Sequence, residues 1–462
     1  MKYTISVIIL FCISNIFCYA QADLAIVNIY PLDRTVPGTY HFYLTAQNLG
    51  AAGSAYTIYW QLDNGAINNV TPTNPPSISA GPTIPMLLDD PGFTLTLSSV
   101  GIHTFKVWIK ATSTNDINHA NDTLTKTIKV YSYLPPKNIV LEIYKHKDCG
   151  PCYPAAEYED SVLAFKPNYS IVNIFPFSVD GDLYNADGEQ YQDSFSFPHP
   201  APVFDRFKFP FYPDIQTSFF ATSNSYFLQG LGLRDNDFQP IEVSFKQVTY
   251  DAATQLLKVK LQAQFYDTLQ GDLRFNLYIT EDSLLGYQAL APDPNNYYHK
   301  HVLRMMAGGT WGAQGSIPAT VYTGNSEQYE FQVTVPASWN LSNVTLIGMV
   351  ETYTGDKYNS NILNSCKASF AQTLSAQTIA FKPNITLYPI PAANKIFIDI
   401  TDLPNANKGT PVCIYDVTSK IVIQKTISSG NNPIDISGIP AGIYTIRFMN
   451  GTYVGKFSKV IK

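Results

Sequence analysis

The residues best suited to chemistry are two cysteines separated by two residues, in the run Cys149-Gly150-Pro151-Cys152. An apolar strand pattern precedes them and a helical pattern follows, which places the first thiol at a helix N-terminus. Unpaired N–H groups and the helix dipole stabilise a thiolate there and lower its pKa. The second cysteine, one turn further on, can resolve a mixed disulfide. The pattern therefore favours thiol–disulfide exchange, with Cys149 attacking and Cys152 resolving.

The segments around this pair alternate between strand and helix, which is typical of an α/β domain. The predicted elements are a strand at Ile139–Tyr144, a helix at Ala155–Phe165, a strand at Ile171–Phe177, a strand after Pro202 and a helix at Thr217–Leu231. Leu134-Pro135-Pro136-Lys137 is a stiff boundary before them. We therefore predict an α/β domain at residues 138–238.

The Cys-Gly-Pro-Cys run between a strand and a helix resembles thioredoxin. This resemblance implies a cis-proline opposite the disulfide, some tens of residues downstream. Pro202, just before a strand, is the best candidate, and Pro198 and Pro200 are its competitors.

Two positions depart from the thioredoxin pattern. Asp148 stands where thioredoxin has tryptophan, and its charge is expected to raise the pKa of the thiol, with His146 and Lys147 offsetting it in part. Ile143 stands where thioredoxin buries an aspartate. The adjacent Glu142 is expected to point to the other face of the strand.

A longer stretch resembles the outer-membrane-protein-28-related family of exported thioredoxin-like proteins. The runs that carry this resemblance are VLEIYKHKDCGPCYPAA, HPAPVFDRF, YYHKHVLRMMAGGTWG and LIGMVETYTGDKYNSNILNSC. The resemblance implies that the α/β half is followed by a β-sandwich, which we place at residues 239–372. It implies a secreted or surface-exposed protein and brings no known reaction.

The end of the chain, residues 384–462, reads as short strands separated by turn residues. It contains a Tyr-Pro-x-Pro opening at Tyr388, a strand–turn pair centred on Asp416, the run GIPAGIY and a lysine-bearing last strand. These features resemble the C-terminal sorting domain of the type IX secretion system, although Ile390 and Ser419 replace the usual Asn and Gly. The resemblance implies transport across the outer membrane, with the secretion machinery as a partner. A plain terminal β-sandwich is the alternative.

The start of the chain has the pattern of a secretory signal peptide over residues 1–22, with a positive Lys2 and an apolar run at Ile5–Phe17. Cleavage after Ala20 or after Ala22 fits equally well. Cys18 raises the alternative of a lipoprotein, but Phe17 stands where that signal needs a small residue. In an exported chain, the remaining Cys-x-x-C pair can form a disulfide. Two further cysteines, Cys366 and Cys413, are predicted to be buried and unreactive.

Residues 23–134 alternate between apolar and polar side chains in five or more runs separated by Gly, Pro and Asn. This spacing predicts an antiparallel sandwich and resembles the immunoglobulin-like or fibronectin-like modules of bacterial surface proteins. The predicted fold class is therefore multidomain and mainly β, with immunoglobulin-like sandwiches and one α/β thioredoxin-like domain.

The overall composition excludes several classes of protein. The chain has 462 residues and a net charge of −6, with 14% charged and 13% aromatic residues. That aromatic content argues against a disordered chain, and the acidic balance argues against nucleic acid as a partner. No apolar stretch after the signal is long enough for a transmembrane helix.

Three polar clusters have some features of cation sites. The run Asp116–Asp122 is better explained as a hairpin turn, and the run Asp180–Gly188 lacks the closing Glu of a calcium loop. His299 and His301 would share one face of a strand but have no third ligand nearby. We therefore predict no metal and no cofactor.

Two functions remain open at this point. In the first, the exported protein exchanges disulfides with a protein thiol or disulfide substrate through Cys149 and Cys152. In the second, the pair is a permanent structural disulfide in a surface adhesion or interaction protein.

Overall fold

The computed structural model describes residues 21–30, 33–72, 77–81, 85–195, 198–208, 231–372, 384–401, 410–417, 420–428, 430–448 and 453–460. The predicted signal peptide lies outside these residues except for Gln21 and Ala22, and so does the predicted helix Thr217–Leu231 except for its last residue. The chain divides into two compact units. The first contains the residues up to 244 with 261–331 and 343–367, and the second contains 245–260, 332–342 and 368–462.

The strands near the N-terminus are short and mostly antiparallel. They are β1 (Leu24–Tyr30), β2 (Arg34–Thr35), β3 (Gly38–His41), β4 (Tyr43–Asn48), β5 (Tyr56–Leu62), β6 (Ile67–Val70), β7 (Met86–Leu88), β8 (Thr94–Leu97), β9 (Gly101–Ala111) and β10 (Thr123–Val130). They form sheets in the orders β1-β4-β7, β2-β10-β9-β5-β6 and β3-β8. Alternate residues of β9, such as Phe105 and Val107, enter a core that also contains Leu44 of β4 and Phe42, which lies between β3 and β4. The period-two pattern predicted β1, β3, β4, β5, β8, β9 and β10, which lie in the runs ADLAIVNIYP, GTYHFYLTAQNLG, AYTIYWQLDNG, FTLTLSSVGIHTFKVWIKA and DTLTKTIKVYSY, whereas β2, β6 and β7 lie outside these runs.

The helices lie in the middle of the chain. The elements there are β11 (Val140–Tyr144), α1 (Cys152–Phe165), β12 (Ser170–Ile174), α2 (Ala186–Phe195) and β13 (Ala201–Phe204). Strands β11 and β12 are parallel, as a strand–helix–strand connection requires, whereas β13 is antiparallel to β11. Helix α1 buries Ala155 and Val162 against the sheet and ends just before Pro167.

The following strands are β14 (Ile241–Asp251), β15 (Leu256–Phe265), β16 (Leu269–Gln270), β17 (Asp272–Glu281), β18 (Leu284–Gly286), β19 (Tyr297–His299), β20 (Val302–Met306), β21 (Thr320–Val321), β22 (Ser326–Thr334), β23 (Val344–Tyr353) and β24 (Ile362–Ser369). They contribute to smaller sheets, in the orders β14-β15-β22, β16-β21 and β18-β19, and to the large sheet described next.

One mixed sheet runs across the predicted division between residues 238 and 239. Its order is β13-β11-β12-β20-β17-β23-β24. The sequence predicted a separate α/β domain, but strand β12 has β20 as its second neighbour, and the Asn173 amide donates to the His301 carbonyl at 2.7 Å. A free strand edge requires a partner for its backbone groups, and the sequence pattern does not specify which strand supplies it.

The C-terminal strands are β25 (Asn384–Tyr388), β26 (Lys395–Thr401), β27 (Thr410–Tyr415), β28 (Ile421–Ile427), β29 (Gly430–Asp435), β30 (Gly442–Phe448) and β31 (Tyr453–Lys459). They form two sheets, β25-β26-β29 and β28-β27-β30-β31, and residues such as Ile398 and Ile446 of both sheets enter one core. The sequence predicts strands here at Ile385–Tyr388, Lys395–Ile400, Val412–Asp416, Ile421–Thr426, Ile443–Phe448 and Tyr453–Val460, which correspond to all of these strands except β29. That strand was missed because its Gly, Asn and Pro are turn residues, although Ile434 is buried within it.

The whole chain is thus mainly β and consists of more than one domain. Among the described residues, no helix has the length and apolar character that a membrane crossing requires.

Candidate functional site

The two cysteines form a disulfide at the start of helix α1. Their Cα atoms are 5.4 Å apart, and Pro151 is the N-cap residue of the helix. Cys149 is partly exposed, whereas Cys152 is only 1% exposed. The prediction that the pair lies between a strand and a helix N-terminus is confirmed. Cys149 is therefore the more exposed residue of the pair.

The loop that carries the disulfide is fixed by hydrogen bonds from two sides. Within the loop, the Cys149 amide donates to the His146 carbonyl at 3.0 Å, and the Cys152 amide donates to the Cys149 carbonyl at 3.2 Å. From outside, Nε2 of Gln288 donates to the Cys149 carbonyl at 2.9 Å. Gln288 is buried, and no local pattern predicts its contact because it lies 139 residues away from Cys149.

The cis-proline of this region is Pro200 and not Pro202. The cis peptide bond joins His199 to Pro200, directly before β13. Pro202 lies inside β13, where it pairs with Ile143 in an extended strand. Because Tyr144 pairs with Ala201, Pro200 lies at the end of β11 from which the disulfide loop departs. The prediction for Pro202 was therefore wrong by two residues, and the competitor Pro200 takes its place.

The charge of Asp148 is compensated locally. Its carboxylate accepts a hydrogen bond from Lys147 Nζ at 2.7 Å, which lowers the pKa of Asp148 and raises that of Lys147. The Asp148 amide also donates to His146 Nδ1 at 2.9 Å. Close behind, the buried Asp180 accepts from the Lys147 amide at 3.0 Å, and burial raises its pKa. The predicted offset of Asp148 by Lys147 is therefore present as an ion pair.

A pocket of about 220 Å³ opens beside the buried sulfur of Cys152. At its base, Lys145 forms an ion pair with Glu159, and both side chains are almost fully buried. Asn173 donates to the second oxygen of Glu159 at 2.8 Å. Glu159 lies two turns along α1 from Cys152, and both line this pocket. The pocket is thus lined by Cys152 at the start of α1 and by a buried ion pair two turns further along the helix.

A second group of buried charges lies on the opposite face of the sheet from α1. Glu142 points there, as predicted, and accepts from Arg206 Nε at 3.1 Å and Nη2 at 2.9 Å. The hydroxyl of Tyr278 donates to the same carboxylate at 2.9 Å, and Arg206 Nη1 donates to the Thr310 carbonyl at 2.6 Å. Glu351 lies 3.5 Å from this guanidinium, and burial raises its pKa to about 7. This network is enclosed and does not reach the disulfide pocket.

The predicted histidine cluster does not form one strand face. His299 is the last residue of β19 and is buried, with Nε2 3.2 Å from the Tyr287 carbonyl. His301 has a left-handed backbone (φ 54°), which ends the strand alternation, and its ring contacts Asp282. Regular strand geometry would place the two histidines on one face. The left-handed backbone at His301 interrupts that geometry, so they do not share a face.

The polar run at Asp116–Asp122 does bring potential metal ligands together. In the described part of the chain, Asp116, His119 and Asp122 are the group of three whose ligand atoms lie within 4.8 Å of one another. The two oxygens of Asp116 already accept from the amides of Leu24 and Asn118. This arrangement fits the predicted turn.

His299 makes the stability of this region depend on pH. Burial lowers the pKa of His299 from 6.5 to about 4. Because the unfolded chain takes up the proton first, stability is fully present above pH 6.5 and is lost as the pH falls towards 4. A shift of this size corresponds to at most roughly 3 kcal/mol. We expect His299→Gln to have a shallower loss of stability between pH 7 and pH 4.5 than the natural chain, measured by urea unfolding. Parallel pH profiles for the two proteins would contradict this prediction.

Two family models match the chain beyond the disulfide loop. Residues 242–372 match the outer membrane protein Omp28, and residues 386–462 match the secretion system C-terminal sorting domain. The chain carries an Omp28 domain and a type IX secretion sorting domain. Together they show that the protein is secreted or displayed at the cell surface. The Omp28 domain contributes β17, β20, β23 and β24 to the large sheet, so it provides part of the framework of the disulfide site.

Solved structures give more distant similarities. HBP35 of Porphyromonas gingivalis is 13% identical and covers 71% of this chain and 99% of that chain, with a TM-score of 0.42. A domain of the outer membrane lipoprotein Omp28 from Porphyromonas gingivalis is 16% identical, over 28% of this chain and 87% of that chain, with a TM-score of 0.19. The CARDB domain of a Pyrococcus furiosus protein is also 16% identical, over 24% of this chain and 94% of that chain, with a TM-score of 0.19. The chain matches no curated protein.

Proposed function

We propose that this exported Omp28-domain protein exchanges disulfides with protein thiols through Cys149 and Cys152, held in a thioredoxin-like segment at residues 138–238. The observation that carries the proposal is a disulfide at a helix N-terminus that joins a partly exposed cysteine to a buried one. Such an arrangement directs attack to one sulfur and keeps the other as an internal leaving group.

The proposed step begins with the disulfide. A substrate thiolate attacks Sγ of Cys149, a new S–S bond forms, and Cys152 leaves as a thiolate. A second substrate thiol then attacks the substrate's own sulfur in the mixed disulfide and releases Cys149. The substrate dithiol is oxidised to a disulfide, the protein disulfide is reduced to a dithiol, and the two thiol protons finish on Cys149 and Cys152. The reverse sequence starts from the dithiol and reduces a substrate disulfide.

Nearby charges support this step. The helix N-terminus stabilises the thiolate that Cys149 becomes, and the ion pair of Lys147 with Asp148 keeps a lone negative charge away from it. Glu159 lines the same pocket as Cys152 and is charge-paired with Lys145, so the protons that the two cysteines take up come from the substrate thiols. Lys145 holds Glu159 in place from the end of β11.

A reduction potential distinguishes this function from a structural disulfide in an adhesion protein. We expect the full chain, equilibrated in thiol–disulfide buffers, to have a potential clearly above about −300 mV. It should also oxidise a dithiol peptide in a one-to-one reaction. A potential near or below that value, with no transfer to the peptide, would instead assign the pair a permanent structural role.

The role of the sorting domain in export can be tested separately. We expect deletion of residues 384–462 to leave the protein in the periplasm of a host with type IX secretion, because the domain that engages this machinery is gone. Cell fractionation with surface proteolysis measures the effect. As a control, a periplasmic reporter joined to residues 384–462 should reach the surface. Surface display of the truncated protein would show that export depends on another part of the chain.

A further inference from the structure

An exposed leucine lies directly against the disulfide loop. Leu290 is 74% exposed, yet its side chain lies against Gly150 so closely that a Cβ added to this glycine would be 2.7 Å from Leu290 Cδ1. Its backbone is left-handed (φ 62°), a conformation that a leucine seldom adopts. An apolar side chain held in water in an uncommon conformation, beside a reactive group, points to a binding role.

The loop that presents Leu290 is fixed to the disulfide loop. The Ala289 amide donates to the Lys147 carbonyl at 2.8 Å, and Gln288 Nε2 donates to the Cys149 carbonyl at 2.9 Å. The Ala291 amide closes a turn onto the Gln288 carbonyl at 3.2 Å. Leu290 is therefore held at a defined place next to Gly150, between the two cysteines.

Other exposed apolar side chains continue from Leu290 along the β18–β19 hairpin. Leu285 and Tyr298 are cross-strand partners and are 57% and 59% exposed, and Tyr287 is 40% exposed. Tyr298 also lines the pocket that contains Cys152, and Lys147 Nζ lies 5.8 Å from the centre of the Tyr287 ring. We call these four residues, Leu285, Tyr287, Leu290 and Tyr298, the apolar rim. Exposed apolar side chains grouped at one place commonly mark a binding surface.

The charged side chains of the pocket beside the apolar rim indicate which kind of substrate binds there. Lys145 and Lys300, the two lysines of the pocket, are paired with Glu159 and Asp160. A small charged thiol would therefore find its ionic partners already engaged, whereas apolar side chains of a polypeptide match the rim. Leu290 of the rim lies against Gly150, next to Cys149. An occupant of the rim that takes part in exchange must therefore also bring a cysteine to Cys149.

We propose that the apolar rim binds apolar side chains next to the cysteine of an extended polypeptide substrate. This inference rests on the proposed disulfide exchange and specifies its substrate class. Burial of one apolar side chain against Leu290 accounts for a preference of about tenfold over a polar side chain.

The test compares two reduced peptides, each with two cysteines, flanked in one by leucines and in the other by serines. The rate at which the full oxidised chain transfers its disulfide is measured for both peptides and for dithiothreitol. We expect the leucine peptide to react about tenfold faster than the serine peptide. Leu290→Asn, which keeps a residue tolerant of the left-handed backbone, should remove this preference and leave the dithiothreitol rate within twofold. Leu49→Asn changes another leucine that is 56% exposed and should preserve the preference.

Three results would overturn the proposal. Equal rates for the two peptides with the natural chain would show that the rim does not select apolar segments, although exchange itself would stand. An equal fall of all three rates in Leu290→Asn would mean that this residue only positions the disulfide. If the natural chain oxidises neither peptide nor dithiothreitol, the exchange function fails and the rim proposal fails with it.

Discussion

Cys152→Ser is expected to leave a reactive Cys149 that captures disulfide substrates permanently. Cys149 is partly exposed at the N-terminus of α1, so its thiolate forms a mixed disulfide, and without Cys152 no internal thiol can release it. In Cys149→Ser, the remaining thiol is 1% exposed, and its reaction with an aromatic disulfide reagent at pH 7 should be slower by about a hundredfold or more. Absorbance kinetics give the rates, and intact mass spectrometry identifies the adduct.

The double variant Cys149→Ser/Cys152→Ser is the control for the other cysteines. Desolvation raises the pKa of the partly exposed Cys366 thiol to about 12, and Cys413 is buried, so both should remain unreactive in the folded chain. If Cys152→Ser reacts no faster than the double variant, Cys149 is not a nucleophile. The disulfide would then have only a structural role.

Arg206→Met is expected to produce the largest loss of stability in the first unit. The guanidinium is fully buried and is the positive partner of Glu142, and Glu351 lies 3.5 Å from it. Methionine fills much of the space but leaves buried carboxylates without a cation, which costs about 3–5 kcal/mol. Native-state hydrogen exchange of the β11 and β13 amides measures this loss locally, which suits a chain of several domains.

An exposed ion pair provides the matched control for Arg206. Lys300 and Asp160 are 2.7 Å apart, but each side chain is more than half exposed, so Lys300→Met should change stability by under about 1 kcal/mol. The loss of stability in Arg206→Lys should lie between the losses in Arg206→Met and Lys300→Met, because a lysine keeps the charge but loses the two-point contact with Glu142. A loss for Arg206→Met as small as that for Lys300→Met would show that the buried network adds no stability.

Local pattern was sufficient for much of the site. The strand at β11, a helix after the cysteines and the direction of Glu142 towards the other face of the sheet all follow from the period of side chains along a strand or helix, and each was predicted. The helix begins at Cys152, three residues before the predicted Ala155. The position of the cis-proline was missed by two residues. Several prolines in a short run all satisfied the sequence pattern, and strand register selected Pro200 over Pro202.

The sequence by itself determined the chemistry available: a Cys-x-x-C pair at a helix start, a chain rich in strands, and a recognisable sorting domain at its end. Only the tertiary structure decided the surroundings of that pair. Gln288 and Leu290 come from a loop about 140 residues away, and the Lys145–Glu159 pair is buried beside Cys152 by packing of α1 on the sheet. Side-chain periodicity indicates which residues face the core. Contacts between distant segments depend instead on which strands pair. The pairing of β12 with β20 is one that no local pattern encodes.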